Sequence, residues 1–255
     1  MADLRAHRED WEQLAELDPM WAVVSSPEHR FGRWDADAFF TTGEAEVARV
    51  LARVRSLGLA PPQRRALDFG CGVGRVTRSL RSRFDEVVGV DIAQAMVEQA
   101  RARHAGWTGL EFVHNDAADL AVLGDRRFDL VYTRLVLQHV PGRDIARSYV
   151  QEFVRLLTAE GLAMFQIPVH LPLRYRGLAT RRLWSALRRL GVPPATLYQR
   201  FKLHPIRMQH ADQETVRRWV QQAGGRVVAV DLKRGATGVQ HGEFFVVRRP
   251  SDGNA

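Results

Sequence analysis

From Arg65 onward, short apolar runs alternate with stretches in which apolar residues recur every three or four positions. RALDF, EVVGVD, LEFVHN, FDLVYT and GLAMFQI read as strands. The spacing between them predicts helices over 73–84, 92–105 and 144–157: Val73, Val76, Leu80 and Phe84 share one face, and Ala146, Tyr149, Val150, Phe153, Val154 and Leu157 another. Strands and helices in strict alternation imply an α/β fold, a mostly parallel sheet covered on both faces. Upstream, a short helix over 8–17 leads into an aromatic connection holding Trp21, Phe31, Trp34, Phe39 and Phe40. Thr41 with Glu44 three residues on forms a capping-box pattern and predicts a second helix from that point. Downstream, DQETVRRWVQQAGG reads as a helix with a glycine stop, followed by the strands RVVAVDL and EFFVVRR. The expected layout is an N-terminal helical lid over 1–60, a sheet domain over 61–168 and 212–250, and a helical insertion over 169–211 ahead of the last helix.

The length of 255 residues suits one or two domains, and the balance of 45% hydrophobic and 26% charged residues excludes a disordered or fibrous chain. No apolar run reaches the ~18 residues of a membrane span, and the N-terminus mixes acids with bases, so a cytoplasmic chain is expected. Cys71 is the single cysteine, which rules out an internal disulfide and multi-cysteine metal sites. His170, His204 and His210 lack metal-ligand spacing, so no metal is expected. The net charge of +8 is local. Between Gly161 and Ala211 there is no Asp or Glu, whereas Arg174, Arg176, Arg181, Arg182, Arg188, Arg189, Arg200, Lys202 and Arg207 all fall there. Within this segment, LATRRLWSALRRL places Leu183, Trp184, Leu187 and Leu190 on one helical side and Arg181, Arg182, Ser185, Arg188 and Arg189 on the other, a basic amphipathic helix.

The chemistry concentrates at strand ends. Asp68-Phe69-Gly70-Cys71-Gly72-Val73-Gly74 carries an apolar strand straight into a glycine-rich turn and then a helix, the kind of turn that lets backbone approach a ligand. A dinucleotide fingerprint would need a glycine where Arg75 stands, so NAD is disfavoured on spacing. Asp91 ends the next strand, where a carboxylate can accept both hydroxyls of a ribose or cap the following helix. Asp116, after the third strand, can accept from an exocyclic amine or simply hold a turn.

In order and spacing, ALDFGCGVGRVT, VVGVDIAQAMVEQAR, FVHNDAADL and FDLVYTRLVLQHV resemble the motifs of class I S-adenosylmethionine-dependent methyltransferases. The resemblance spans about Arg65 to Ile167. It implies a Rossmann-like seven-stranded sheet, mostly parallel with an antiparallel last strand, and S-adenosyl-L-methionine as cofactor. Asp68, Gly70, Cys71, Gly72 and Gly74 would then lie against the methionine part, with Asp68 near the amino group. Asp91 would hold the ribose, Ile92 and Met96 would flank the adenine, Asp116 and Ala117 would read its amino edge, and Thr133 would offer a backbone carbonyl. By the same analogy His139 borders the methyl-transfer cavity, where it serves either as general base or as scaffold. The chain lacks the Asn/Asp-Pro-Pro-Tyr/Phe run of nucleobase and amine methylating relatives, having Tyr132-Thr133-Arg134-Leu135 instead, and Cys71 is misplaced for cytosine-carbon chemistry.

The expected function is therefore O-methylation of a small molecule or of a glycan or lipid-linked acceptor. Trp34, Phe40, Arg181 and Arg182 are the candidate acceptor contacts, an anionic acceptor or peripheral membrane contact is open to the basic insertion, and nucleic acid is disfavoured. Two other readings stand beside it: an RNA methyltransferase, suggested by the basic pI, and a cofactor-binding accessory protein without transferase activity.

Overall fold

The computed structural model describes residues 2–172, 179–206, 208–235 and 238–249, with side chains omitted for residues 2, 3 and 179–181. The chain enters through helix α1 (Ala2–Leu17), the short α2 (Pro19–Val23) and the long α3 (Ala36–Ser56). It then alternates through β1 (Arg65–Phe69), α4 (Arg75–Arg81), β2 (Glu86–Asp91), α5 (Gln94–Arg103), β3 (Leu110–His114), β4 (Phe128–Thr133), α6 (Arg143–Arg155) and β5 (Leu157–His170). Two helices, α7 (Ala179–Arg189) and α8 (Pro194–Gln199), precede α9 (Gln213–Gln222), β6 (Gly225–Arg234) and β7 (Gln240–Arg248).

The strands form one seven-stranded sheet in the order β3-β2-β1-β4-β5-β7-β6, as the alternation implied. Neighbours from β3 to β5 pair in parallel, and β7 runs antiparallel to both β5 and β6. One face is covered by α6 and α9, whose Tyr149, Val150, Phe153, Val216, Trp219 and Val220 join Leu67, Val131, Phe165 and Phe244 in a single core. The other face is covered by α3 and α4, where Val47, Val50, Val54, Val76 and Leu80 pack on Ala66, Leu130, Met164 and Phe245. A third cluster brings together Leu14 of α1, Trp21 and Ala22 of α2, Phe39 and Phe40 of α3, Met96 of α5, Trp184 of α7, and Leu197 and Tyr198 of α8.

The limits of β1, β2 and β4 match their apolar runs and β5 extends beyond GLAMFQI at both ends, whereas three helix expectations are corrected. Helix α3 starts five residues before Thr41. Its cap is the Asp35 carboxylate, which accepts from the Ala38 amide at 2.9 Å, and Thr41 lies inside the helix with its hydroxyl donating to the Asp37 carbonyl. The extra turn lets Phe39 and Phe40 reach the third cluster. Helix α1 likewise extends N-terminally of Arg8, and α5 is shorter than expected, beginning at Gln94. Its exposed first-turn amides are capped from another element: the Glu12 carboxylate accepts from Gln94 at 2.6 Å and Ala95 at 3.0 Å. An acid on α1 thus sits at the positive end of the α5 dipole and ties the N-terminal helix to the sheet domain.

Candidate active site

The carboxyl ends of β1, β2 and β4 meet where the order reverses on either side of β1, the place where open α/β sheets bind ligands. A cavity opens there. Of the residues singled out by sequence, Asp68, Gly70, Cys71, Gly72, Asp91, Ile92, Met96 and His139 line it.

The glycine turn is held by its neighbours. Gly70, Gly72 and Gly74 all have positive φ, at 75°, 52° and 86°. A Cβ on Gly70 would come within 2.3 Å of the Val136 side chain, and one on Gly72 within 2.3 Å of Val23. Any other residue would therefore meet both a steric clash and an unfavourable backbone conformation. The Gly70 and Cys71 amides donate to the Val90 carbonyl, and the Gly72 amide donates to Asp91 at 2.8 Å, so the turn is stitched to β2. Asp91 also accepts from the Ala93 amide at 3.0 Å, which makes it a local cap and a loop anchor together. Burial pushes its carboxyl up, against the pull of these amides.

Asp68 is buried, and burial raises its carboxyl to about 7, opposed by a 2.7 Å hydrogen bond from the Thr77 hydroxyl and by the charge of Arg75. Burial also pushes the Cys71 thiol up, which leaves it a poor nucleophile. Below these residues, Glu46 of α3 accepts from the Tyr132 hydroxyl, from Arg75 at 3.0 Å and from Arg134 at 3.0 Å. Despite burial, the two guanidinium groups hold Glu46 below its usual range. Glu46, Arg75, Tyr132 and Arg134 all line the cavity, and the apolar pattern of their elements had not marked them.

Helix α1, part of the expected N-terminal lid, supplies a wall of the cavity from residues that the sequence had not singled out. Leu4, His7 and Trp11, spaced along one face of α1, line the cavity. Trp11 packs 5.6 Å from the His139 ring and 6.1 Å from His7, centroid to centroid. The signal lay in the helical spacing of Leu4, His7, Trp11 and Leu14. His139 is itself positioned by Gln138, whose amide nitrogen lies 2.9 Å from its Nε2, while the amide oxygen lies 3.0 Å from Nε2 of His241 on β7. An amide NH2 only donates and an amide oxygen only accepts, so Nε2 of His139 accepts and Nε2 of His241 carries a proton. Burial holds His241 below the usual histidine range, in its neutral form.

The other candidates lie off the lining. Asp116 is exposed and paired with Arg8 of α1 at 2.6 Å, because the end of β3 turns Asn115 inward and Asp116 outward. The Ala117 carbonyl accepts from the Tyr149 hydroxyl at 2.6 Å. Gly74 starts α4 against His104. Thr133 is fully buried between Tyr132 and Arg134, the residues that do reach the cavity. Trp34 stacks on His29 at 3.7 Å and Phe40 packs edge-on against His104, so both serve packing away from the cavity rather than its roof. Arg182 is exposed on α7, and the Arg181 side chain lies outside the described residues.

Two buried or half-buried carboxylates, an aromatic wall and a positioned imidazole around one cavity suit a ligand with a cationic amino group and a hydroxylated ring, both of which S-adenosylmethionine presents. Residues 67–165 match the Methyltransferase domain family. The chain is 32% identical to the demethylmenaquinone methyltransferase of Clavibacter sepedonicus over 214 residues, 82% of this chain and 82% of that protein. It is 34% identical over 136 residues to the trans-aconitate 2-methyltransferase of Methylobacterium radiotolerans, a match that spans 49% of that relative. In fold it is similar to the magnesium protoporphyrin IX methyltransferase of Synechocystis with S-adenosylmethionine bound, at a TM-score of 0.62, 16% identity and 98% coverage of each chain. With the fold, the glycine turn and a relative matched over four fifths of both chains in agreement, this chain belongs to the class I S-adenosylmethionine-dependent methyltransferases.

Proposed function

We propose that this enzyme methylates an oxygen of a small acceptor, either free or glycan- or lipid-linked, that enters beneath α1 and meets His139. The observation that carries the reading is the pairing of Trp11 with His139 on the same cavity that holds Asp68, the glycine turn and Asp91. S-adenosylmethionine, when bound, supplies a methyl group already activated on a sulfonium sulfur, so the protein's task is to place the acceptor and remove its proton. Asp68 would take the amino group, Asp91 the ribose hydroxyls, and Ile92 with Met96 the faces of the adenine. In the role foreseen for Asp116, Asn115 is the residue on the lining.

His139 would act as the base. Its neutral ring carries the proton on Nδ1 while Gln138 donates to Nε2. A half-turn of the Gln138 amide would bring its oxygen to Nε2 of His139 and its NH2 to Nε2 of His241, with the proton moving from Nδ1 to Nε2 on His139, which makes Nδ1 the acceptor, and from Nε2 to Nδ1 on His241. Gln138 is therefore a positioning residue whose orientation decides which nitrogen is basic. The relatives named for trans-aconitate and demethylmenaquinone support a small molecule over RNA.

The test is turnover of S-adenosylmethionine to S-adenosylhomocysteine with fractionated small-molecule extracts, followed by mass analysis of the product bond. Methyl transfer to an oxygen that falls ~10²–10⁴-fold in His139→Ala supports the proposal. Transfer only to RNA, or no transfer by a protein that still binds cofactor, would favour the RNA enzyme or the accessory protein respectively.

A further inference from the structure

Helix α7 does not dock as its sequence pattern suggested. Trp184 is 2% exposed and Leu187 partly buried, both packed into the cluster that holds Trp21, Ala22, Leu197 and Tyr198. Leu183 and Leu190, expected on the same inward side, are 50% and 79% exposed. At 100° per residue, Arg182, Leu183, Ala186, Arg189 and Leu190 fall within about a third of the helix circumference, and all five are exposed. The outward face is thus amphipathic in its own right, with arginines along one edge and leucines along the other. The turn after α8 repeats the combination: Phe201 is 53% exposed between the exposed Arg200 and Lys202. Among the described residues, the side chains of Arg182, Arg189, Arg200 and Lys202 have no hydrogen-bond or ion-pair partner. No acid lies between Gly161 and Ala211 to balance them.

We propose that the outer face of α7 and the Arg200–Lys202 turn form a contact surface for an anionic lipid bilayer. Large apolar side chains left in water beside unpaired guanidinium groups match the headgroup boundary, where phosphate takes the arginines and the acyl region takes leucine and phenylalanine. A nucleic acid would satisfy the cations and leave Leu183, Leu190 and Phe201 without a partner, so the apolar half of the surface decides between the two. The inner side of α7 joins the apolar cluster that also holds Trp21 and Ala22 of α2, and Ala22 with Val23 lines the cavity, so one cluster links the proposed bilayer face to the site. The surface does not depend on which acceptor the enzyme takes, and its test needs none.

The full chain, with and without S-adenosylhomocysteine, is sedimented with vesicles of phosphatidylglycerol and with vesicles of phosphatidylcholine alone, over a salt series. The expected result is binding to the anionic vesicles only. Arg182, Arg189, Arg200 and Lys202 changed together to Gln weaken it roughly 600-fold, from the roughly fivefold that each of the four surface cations contributes. Leu183→Ser with Leu190→Ser weakens it separately while leaving its salt dependence in place. All these positions are exposed, so the thermal midpoint and cofactor affinity stay those of the parent. Two results overturn the proposal: no binding to phosphatidylglycerol vesicles, or a leucine double variant that binds as tightly as the parent. Arginine-dependent binding to RNA together with the second result would mark the face as a nucleic-acid surface.

Discussion

A buried carboxyl near neutrality makes cofactor binding sensitive to pH in a calculable way. Asp68 is held at about 7 by burial, against a usual value of 3.8. A cationic amino group in the cavity binds the ionised form. Below pH 7 the carboxyl must first give up its proton, and each unit costs a factor of about ten in affinity, or about 1.4 kcal/mol. Between pH 8 and pH 5 the affinity for S-adenosylhomocysteine should therefore fall about 100-fold and level off above pH 7. Asp68→Asn keeps an oxygen for the Thr77 hydroxyl yet has no proton to lose, so it should bind weakly with a much flatter profile. The folded state shows the converse. An acid whose value is raised on folding costs stability as pH climbs from about 4 to about 7, by up to about 4 kcal/mol, so the gap between Asp68→Asn and parent in thermal midpoint should widen in favour of the variant across that range. Calorimetric titration at half-unit steps reads the first effect and thermal melts the second. A parent affinity that is flat from pH 5 to 8, or an Asn variant with the parent's slope, would refute the assignment of Asp68 to the amino group.

Asp91→Ala should lower cofactor affinity ~10–100-fold and abolish most of the thermal stabilisation by ligand, since a charged acceptor is lost and the Gly72 amide is released; unchanged affinity by titration would remove Asp91 from the site. His139→Ala should depress turnover ~10²–10⁴-fold with cofactor affinity kept, and Gln138→Leu should move the acidic limb of the pH–rate profile rather than only its height. Glu46→Gln leaves Arg75 and Arg134 facing each other without their carboxylate, so the protein should lose about 3–5 kcal/mol in denaturant melts. The parent's share of that stability is present above the ordinary carboxylate range and lost as pH falls through it, because Glu46 is held low. Arg8→Ala breaks an exposed pair to Asp116 and should change stability by no more than about 1 kcal/mol.

The sequence by itself determined the sheet and its glycine turn. RALDF, EVVGVD and FDLVYT are strands to the residue, and the inward stripe of α6 is the one its spacing marked, because burial on one face imposes a period that any window of the chain displays. The turn was equally legible: three alternating glycines in positive φ leave few other uses for that composition. Tertiary structure decided whatever depends on partners far along the chain. Asp116 looked like an adenine reader until Arg8, 108 positions away, claimed it. The first turn of α5 finds its cap in Glu12, and His139 is oriented through Gln138 by His241, 103 positions beyond that glutamine. Trp34 and Phe40 were read as candidate acceptor contacts, but composition does not say which rings reach the cavity, and the ring facing His139 came from α1. The same holds for α7, where the helical pattern gave both a leucine side and an arginine side. Only the burial of Trp184 in the cluster it shares with α2 and α8 chose the rotation that turns Leu183 and Leu190 outward, since docking follows the largest side chain that fills the available space.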